Sequence, residues 1–303
     1  MPRGEARGTP PAPEAAELPT GVTVGHWGDP RGRTGCTVVL APAGAVGGVD
    51  VRGGGAGTLA TDAMRPGTLI ERANAILLTG GSMYGLEAAA GVMEFLEDLG
   101  VGLSIGPVKV PAVAGAVIFD LLAGDPRARP NRYHGLAACQ AATATPAMGA
   151  VGVGTGATVA KAGRGEQIRP GGVGVASVRV GRAVVAAVMV ANSVGGIWDD
   201  ERHEWIAPLT SWDATGGLFP GANTTIGVVV TDARLNKEQA NRVATIGHDG
   251  IARAVRPAHT MYDGDTIFCL ATGEQSASAD AVEVAAATVV ARAIAAGVRA
   301  AAG

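Results

Sequence analysis

The run Gly221-Ala222-Asn223-Thr224-Thr225-Ile226-Gly227 leads directly into the apolar stretch Val228-Val229-Val230. Breaking the Asn223–Thr224 peptide would leave Thr224 as a new N-terminus, carrying a nucleophilic hydroxyl and a free amine able to act as its base. One residue would then supply two of the groups that amide hydrolysis requires. Taken alone, an Asn-containing turn before a buried strand, with threonine present for its strand preference, accounts for the same residues. The choice rests on whether the rest of the chemistry is found elsewhere in the chain.

Three other segments look chemical and fail on spacing. Gly152-Val153-Gly154-Thr155-Gly156-Ala157-Thr158-Val159-Ala160-Lys161 resembles a phosphate cradle, but no Gly precedes the Lys and no Ser or Thr follows it. His203-Glu204-Trp205-Ile206-Ala207 begins like a zinc-protease helix and lacks the second histidine. Ser82 in Gly80-Gly81-Ser82-Met83-Tyr84-Gly85 stands between a strand and a helix without the Gly-x-Ser-x-Gly spacing of a nucleophile elbow. Its glycines suit a close approach of two backbones, or amides presented to a ligand. His26, His134, His248 and His259 are scattered singly and read as hydrogen-bonded structural residues. No metal and no cofactor is expected.

The elements that must position such chemistry can be read from pattern. A chain of 303 residues with 47% hydrophobic content can bury a large core, and one domain over residues 21–303 is expected behind a disordered tail of residues 1–20. The net charge of -3, with both signs interspersed, excludes the basic stripe of a nucleic-acid binder. Cys36, Cys139 and Cys269 are odd in number and far apart, which suits reduced thiols in the cytoplasm. Charges at Asp280, Glu283, Arg292 and Arg299 argue against a membrane span in the apolar C-terminus. Strands are expected at 34–40, 74–78, 115–119, 173–180, 183–191, 225–230 and 266–271, with a hairpin around Gly181. Helices are expected at 85–99, 136–144, 237–256 and 279–298, the last capped by Ser278 or Asp280. This mixture favours an α+β arrangement of sheets stacked between helices over a doubly wound parallel sheet.

Seven segments occur in one meaningful order: Leu78-Thr79-Gly80-Gly81-Ser82, Gly115 to Asp120, Gly154 to Thr158 with Lys161, Pro170-Gly171-Gly172, Asn192, Asn223-Thr224-Thr225 and Asp263-Gly264-Asp265-Thr266. In them the chain resembles the DmpA-type aminopeptidase and nylon-oligomer hydrolase family over about residues 21–273. The resemblance implies a four-layer αββα sandwich of the DmpA and ornithine acetyltransferase type. It implies self-cleavage into fragments 1–223 and 224–303 that stay associated, and a tetramer of the processed units. A threonine nucleophile places the chain on the side of the 6-aminohexanoate-oligomer endohydrolases, since the aminopeptidase branch typically uses serine. Lys161, Asn192, Asp263 and Asp265 match the family's site, and Phe119, Gly80 and Gly81 fall where substrate is bound. Relatives can carry tyrosine near Phe119, so a hydroxyl contact to substrate would be lost here.

These residues assemble into a reaction. Thr224 supplies nucleophile and base, its α-amine ordinarily titrating at about 7.7–8.0 and pushed lower by a neighbouring Lys161 cation. The Asn192 side-chain amide can donate to the oxyanion. Asp263 and Asp265, two apart across Gly264, would lie on one side of an extended segment, where they could orient Lys161 or the Thr224 amine, or receive a substrate ammonium. The expected partner is a linear amide or oligopeptide, most specifically a 6-aminohexanoate oligomer cut internally. Three alternatives stand beside it: an aminopeptidase releasing N-terminal residues, an ornithine-acetyltransferase-like acyltransferase, and a binding protein that keeps the fold without the activity.

Overall fold

The computed structural model describes residues 16–163, 167–211 and 221–303. Eight principal strands carry the fold: β1 (Thr23–Asp29), β2 (Thr34–Val51), β3 (Arg72–Thr79), β4 (Val113–Val117), β5 (Gly172–Val180), β6 (Ala183–Asn192), β7 (Thr224–Ala233) and β8 (Thr266–Gln275). Four helices cover them: α1 (Ala88–Asp98), α2 (Arg132–Gln140), α3 (Lys237–Ala254) and α4 (Ala279–Ala302).

The strands form two layers that share β2. Its second half pairs with β8 through Val46–Val51, in the hydrogen-bonded order β5-β6-β7-β8-β2. Its first half lies between β1 and β3, and β4 continues that layer. The β2–β3 ladder breaks between Leu40 and Ala45, where Pro42 offers no N–H and Gly44 turns at φ 80°. The pairing is antiparallel throughout except for β7 with β8 and β3 with β4.

Alternation along each strand then fills three cores. Val228 and Val230 of β7, Val188 and Val190 of β6, and Ile76 and Leu78 of β3 point between the layers, where Phe268 also lies. Val229, Met189 and Ile267 point the other way, against Val243 and Ile251 of α3 and Val289 and Val290 of α4. Val38, Ala75 and Leu77 meet Ala88, Val92 and Leu96 of α1 and Cys139 of α2. Helices, sheet, sheet, helices: the molecule is the expected four-layer αββα sandwich. Strands buried on both faces read as unbroken apolar runs, and each buried Val or Leu contributes about 1.5–3 kcal/mol.

The small residues set the spacing of these layers. A Cβ at Gly174 of β5 would lie 1.9 Å from the carbonyl oxygen of Ala293, so α4 packs directly on the backbone of the strand. This burial explains the apolar length of α4, which by composition alone is long enough to cross a membrane, with 67% of its most apolar window inside the protein.

Several expected bounds shift. α2 starts at Arg132 rather than 136, because Asn131 accepts from the Tyr133 N–H and forms a capping box with His134 before any apolar periodicity begins. β4 ends at Val117, leaving Phe119 beyond the strand. α4 is capped by Ser278, whose hydroxyl accepts from the Ala281 N–H. Of the tail assigned to residues 1–20, residues 1–15 lie outside the described residues, but Ala16–Thr20 belongs to the fold. Leu18 enters the core between the sheets and Glu17 pairs with Arg179, which is why that part of the tail assignment fails.

Candidate active site

The open end of the β6–β7 ladder brings the central residues together. Asn192, the last residue of β6, is paired with Thr224, the first residue of β7. Both are buried, at 0% and 2% exposure. One residue upstream the strand pairing persists as a bridge between Asn223 and Asp263. There the carbonyl oxygen of Asn223, which belongs to the peptide before Thr224, accepts from the Gly264 N–H at 2.9 Å. The Asn223 side chain donates to the Tyr262 carbonyl, while its own oxygen is buried without a partner among the described residues.

Lys161 reaches this junction from the short helical turn Lys161–Gly163. Its Nζ donates to the Asn192 Oδ1 at 2.8 Å, the Asn192 carbonyl at 3.0 Å and the Ala222 carbonyl at 3.2 Å. Three acceptors match the three N–H bonds of an ammonium. Burial nevertheless pushes its pKa from the usual 10.5 down to about 7, against the opposing charges of Asp263 and Asp120. The Asn192 Oδ1 accepts a second bond from the Thr158 N–H. With its oxygen doubly held, the Asn192 amide is turned so that, among the described residues, Nδ2 donates only to the Phe119 carbonyl, at a long 3.5 Å. That N–H is the donor with spare capacity.

The acidic pair is buried, each residue at 1% exposure, and it is bonded to protein donors. Asp263 accepts from the Val194 N–H, just past Asn192, and from both the N–H and the hydroxyl of Thr260. Burial and then the neighbouring Asp265 raise the Asp263 pKa. Asp265 accepts from the Thr225 N–H at 2.7 Å through one oxygen and from His259 through the other. Asp263 also acts on Lys161 through its charge, and both carboxylates are bonded to the backbone around the junction. Asp265 holds the backbone next to Thr224, and Asp263 holds the chain leaving Asn192.

Gly80 and Gly81 are adjacent to the site but their amides are already used, by the Gly35 carbonyl at 2.8 Å and by Asp120 at 2.7 Å. A Cβ on Gly80 would lie 2.1 Å from Asp120 Oδ2 and 2.5 Å from Thr34 Oγ1, so glycine there leaves room for the Asp120 and Thr34 side chains. Asp120 also accepts from the Thr34 hydroxyl. Burial raises its pKa, while those donors and Lys161 oppose the rise. Phe119 contributes its carbonyl to Asn192.

Three contributors escaped sequence reasoning. Asp120 was seen only as the end of a motif, and His259 as an isolated histidine. The third is the run Gly53-Gly54-Gly55-Ala56-Gly57, which lies against the segments around Asn223 and Asp263: a Cβ on Gly55 would meet Gly221 Cα at 2.4 Å, and one on Gly264 would meet the Gly55 carbonyl at 2.6 Å. Its glycine density was the available signal.

A strand-opening threonine stands beside a lysine and an asparagine on a four-layer sandwich, the fold of the N-terminal-nucleophile hydrolases. The model of peptidase family S58 matches residues 20–303, and the chain belongs to that family. It is a hydrolase of amide bonds. The chain is 43% identical to an uncharacterized aminopeptidase of Mycobacterium leprae, covering 86% of this chain and 79% of that protein. It is 32% identical to a 6-aminohexanoate-oligomer endohydrolase of Kocuria sp., covering 84% and 74%. Among solved structures, a Burkholderia sp. beta-aminopeptidase superposes with a TM-score of 0.72 at 22% identity, over 97% of this chain and 89% of that one. The L-aminopeptidase D-Ala-esterase/amidase of Ochrobactrum anthropi gives 0.71 at 19% identity, over 99% and 89%.

Proposed function

We propose that this chain cleaves itself between Asn223 and Thr224 and then hydrolyses linear amides with Thr224 as the N-terminal nucleophile. The observation that carries this reading is the junction of Thr224, Asn192 and Lys161 at one strand end. In processing, the Thr224 hydroxyl attacks the Asn223 carbonyl carbon, and the C–N bond breaks as the acyl group moves from nitrogen to oxygen. Water then cleaves the ester, leaving a carboxylate on Asn223 and a free amine on Thr224. The Gly264 N–H already lies on the oxygen that becomes the oxyanion.

In turnover the Thr224 amine takes the hydroxyl proton and returns it to the leaving amine. The Asn192 Nδ2 stabilises the tetrahedral intermediate, and water releases the acyl group from Thr224. Lys161 fixes the Asn192 amide and places a cation near the Thr224 amine, which lowers that amine's proton affinity. Asp263 and Asp265 hold the two strand ends.

The substrate class we favour is the linear 6-aminohexanoate oligomer, cut at internal bonds, as suggested by the threonine nucleophile and by the endohydrolase relatives. An aminopeptidase is the second reading, supported by the higher identity to the mycobacterial protein. Product lengths separate them. Early mid-length oligomers support endo attack, whereas release of single units from the amino end sinks it and favours the aminopeptidase.

A further inference from the structure

His259 lies six residues before Asp265 and has no place in the reaction described above. Its backbone sits in the left-handed region at φ 57°, which is unfavourable for a residue with a Cβ. That conformation brings two of its groups onto one oxygen: the His259 N–H is 3.2 Å and the ring Nδ1 2.7 Å from Asp265 Oδ2. The other oxygen of the same carboxylate accepts from the Thr225 N–H at 2.7 Å. The ring also stands edge-on to His248, with centroids 4.9 Å apart, and His248 Nε2 lies 3.1 Å from the Asp50 carbonyl of β2. His259 thus stands between His248, which reaches β2, and Asp265, which holds the first peptide of β7.

We propose that His259 is a positioning residue for hydrolysis, acting through Asp265 and the Thr225 N–H to hold Thr224 in place once it has become a chain end. The inference rests on the reading of Thr224 as the N-terminal nucleophile. Before cleavage, Thr224 is held on both sides by the chain. Afterwards its upstream tether is gone, and free strand ends fray unless they are tied down. Thr224 keeps its pairing with Asn192 on one edge of the strand, and on the other edge the first tie is the Asp265–Thr225 bond, which is only as rigid as Asp265. A buried carboxylate with a single amide partner on one oxygen is kept in one rotamer by whatever grips the other, and His259 does so with two donors. The charged and titratable groups acting on this ring are Asp265, His248 and Arg52, with Asp263 beside Asp265 and Asp50 beside His248. Burial opposes a charge on His259, but the hydrogen bond and charge of Asp265 outweigh it and raise its pKa.

The test uses the full-length protein after processing, assayed on a linear 6-aminohexanoate oligomer or a short peptide amide. His259→Gly removes the ring while keeping the backbone N–H and relieving the left-handed strain. His259→Asn keeps a side-chain donor and tolerates the same backbone region. The expected result is a fall in kcat of about tenfold or more in His259→Gly, with KM within about twofold and Tm close to wild type, and recovery of most of that loss in His259→Asn. An unchanged kcat in His259→Gly overturns the proposal, and so does a loss that appears in KM or only together with a large fall in Tm. If His259→Gly does not fold, equal activity of His259→Asn and His259→Leu overturns it. Thr224→Ala separates this from the underlying reading: full activity in that variant defeats the nucleophile assignment, whereas an inert Thr224→Ala beside a fully active His259→Gly defeats only the role of His259.

Discussion

Lys161 Nζ lies 2.8 Å from Asn192 Oδ1, and this bond decides which way the Asn192 amide faces. An asparagine has one accepting and one donating end, and a cation can bond only the former. Lysine at one end therefore leaves the N–H end for the reaction. The residue that brings a cation to the site also sets the geometry of the proposed oxyanion donor.

The proposed self-cleavage at Asn223–Thr224 makes the first test. The C-terminal 80 residues of this 303-residue, 30.0 kDa chain should separate as a fragment of about 8 kDa under denaturing conditions, as required of an N-terminal threonine nucleophile. Mass spectrometry of the purified protein should find threonine at its N-terminus, and Thr224→Ala should remain one chain. Cleavage of Thr224→Ala at the wild-type rate would remove Thr224 from the reaction.

Removing the Asn192 amide should cost catalysis rather than binding. Loss of a single preorganised oxyanion donor is worth roughly 2.7–4 kcal/mol, so Asn192→Ala should lower kcat by about 10²–10³-fold. Steady-state kinetics on a variant that has been processed would measure this, and a change confined to KM would contradict the role.

Lys161 should titrate near neutrality. The sequence holds three lysines, Lys109, Lys161 and Lys237, so carbon-13 labelling of the lysine side chains should reveal one resonance moving at about pH 7 that is missing in Lys161→Met. The folded pKa lies below the usual 10.5, so the unfolded chain binds more protons between about pH 7 and 10.5. Stability should gain from this group as pH rises through that window, and the cost of the buried cation is complete below it. The Tm of wild type relative to Lys161→Met should therefore increase with pH. Turnover of Lys161→Met should fall by about 10²-fold or more, as for loss of a group that controls proton transfer.

Asp263→Asn and Asp265→Asn should both act on kcat. Their carboxylates are committed to protein donors, Val194 and Thr260 for one and Thr225 and His259 for the other. An amide in either place turns an N–H toward another N–H, and each buried group left unsatisfied costs about 1–3 kcal/mol. A preferential rise in KM for substrates with a free amine would instead assign the altered carboxylate to substrate ammonium.

The local part of this protein was legible in its residues. Alternating Val, Ile and Ala runs fix where strands lie because side-chain direction repeats every second residue, and the stretch Asn223-Thr224-Thr225 marks a strand entrance whatever surrounds it. The Ser278 cap and the hairpin at Gly181 are likewise decided within a few residues. The family resemblance gathered Lys161, Asn192, Asp263 and Asp265, but their partners came from the fold. That β2 serves both sheets was hidden, because the bend at Pro42 and Gly44 interrupts a pattern that is apolar on both sides of it. Asp120 meets Thr34 across 86 residues, and Asp265 meets Thr225 across 40. His259 joins the site only because the turn before β8 takes a left-handed backbone that aims the ring back at Asp265. Sequence period is set by each residue's neighbours in the chain, whereas the partner of a buried charge is set by which layers pack together, and only the tertiary structure contains that choice.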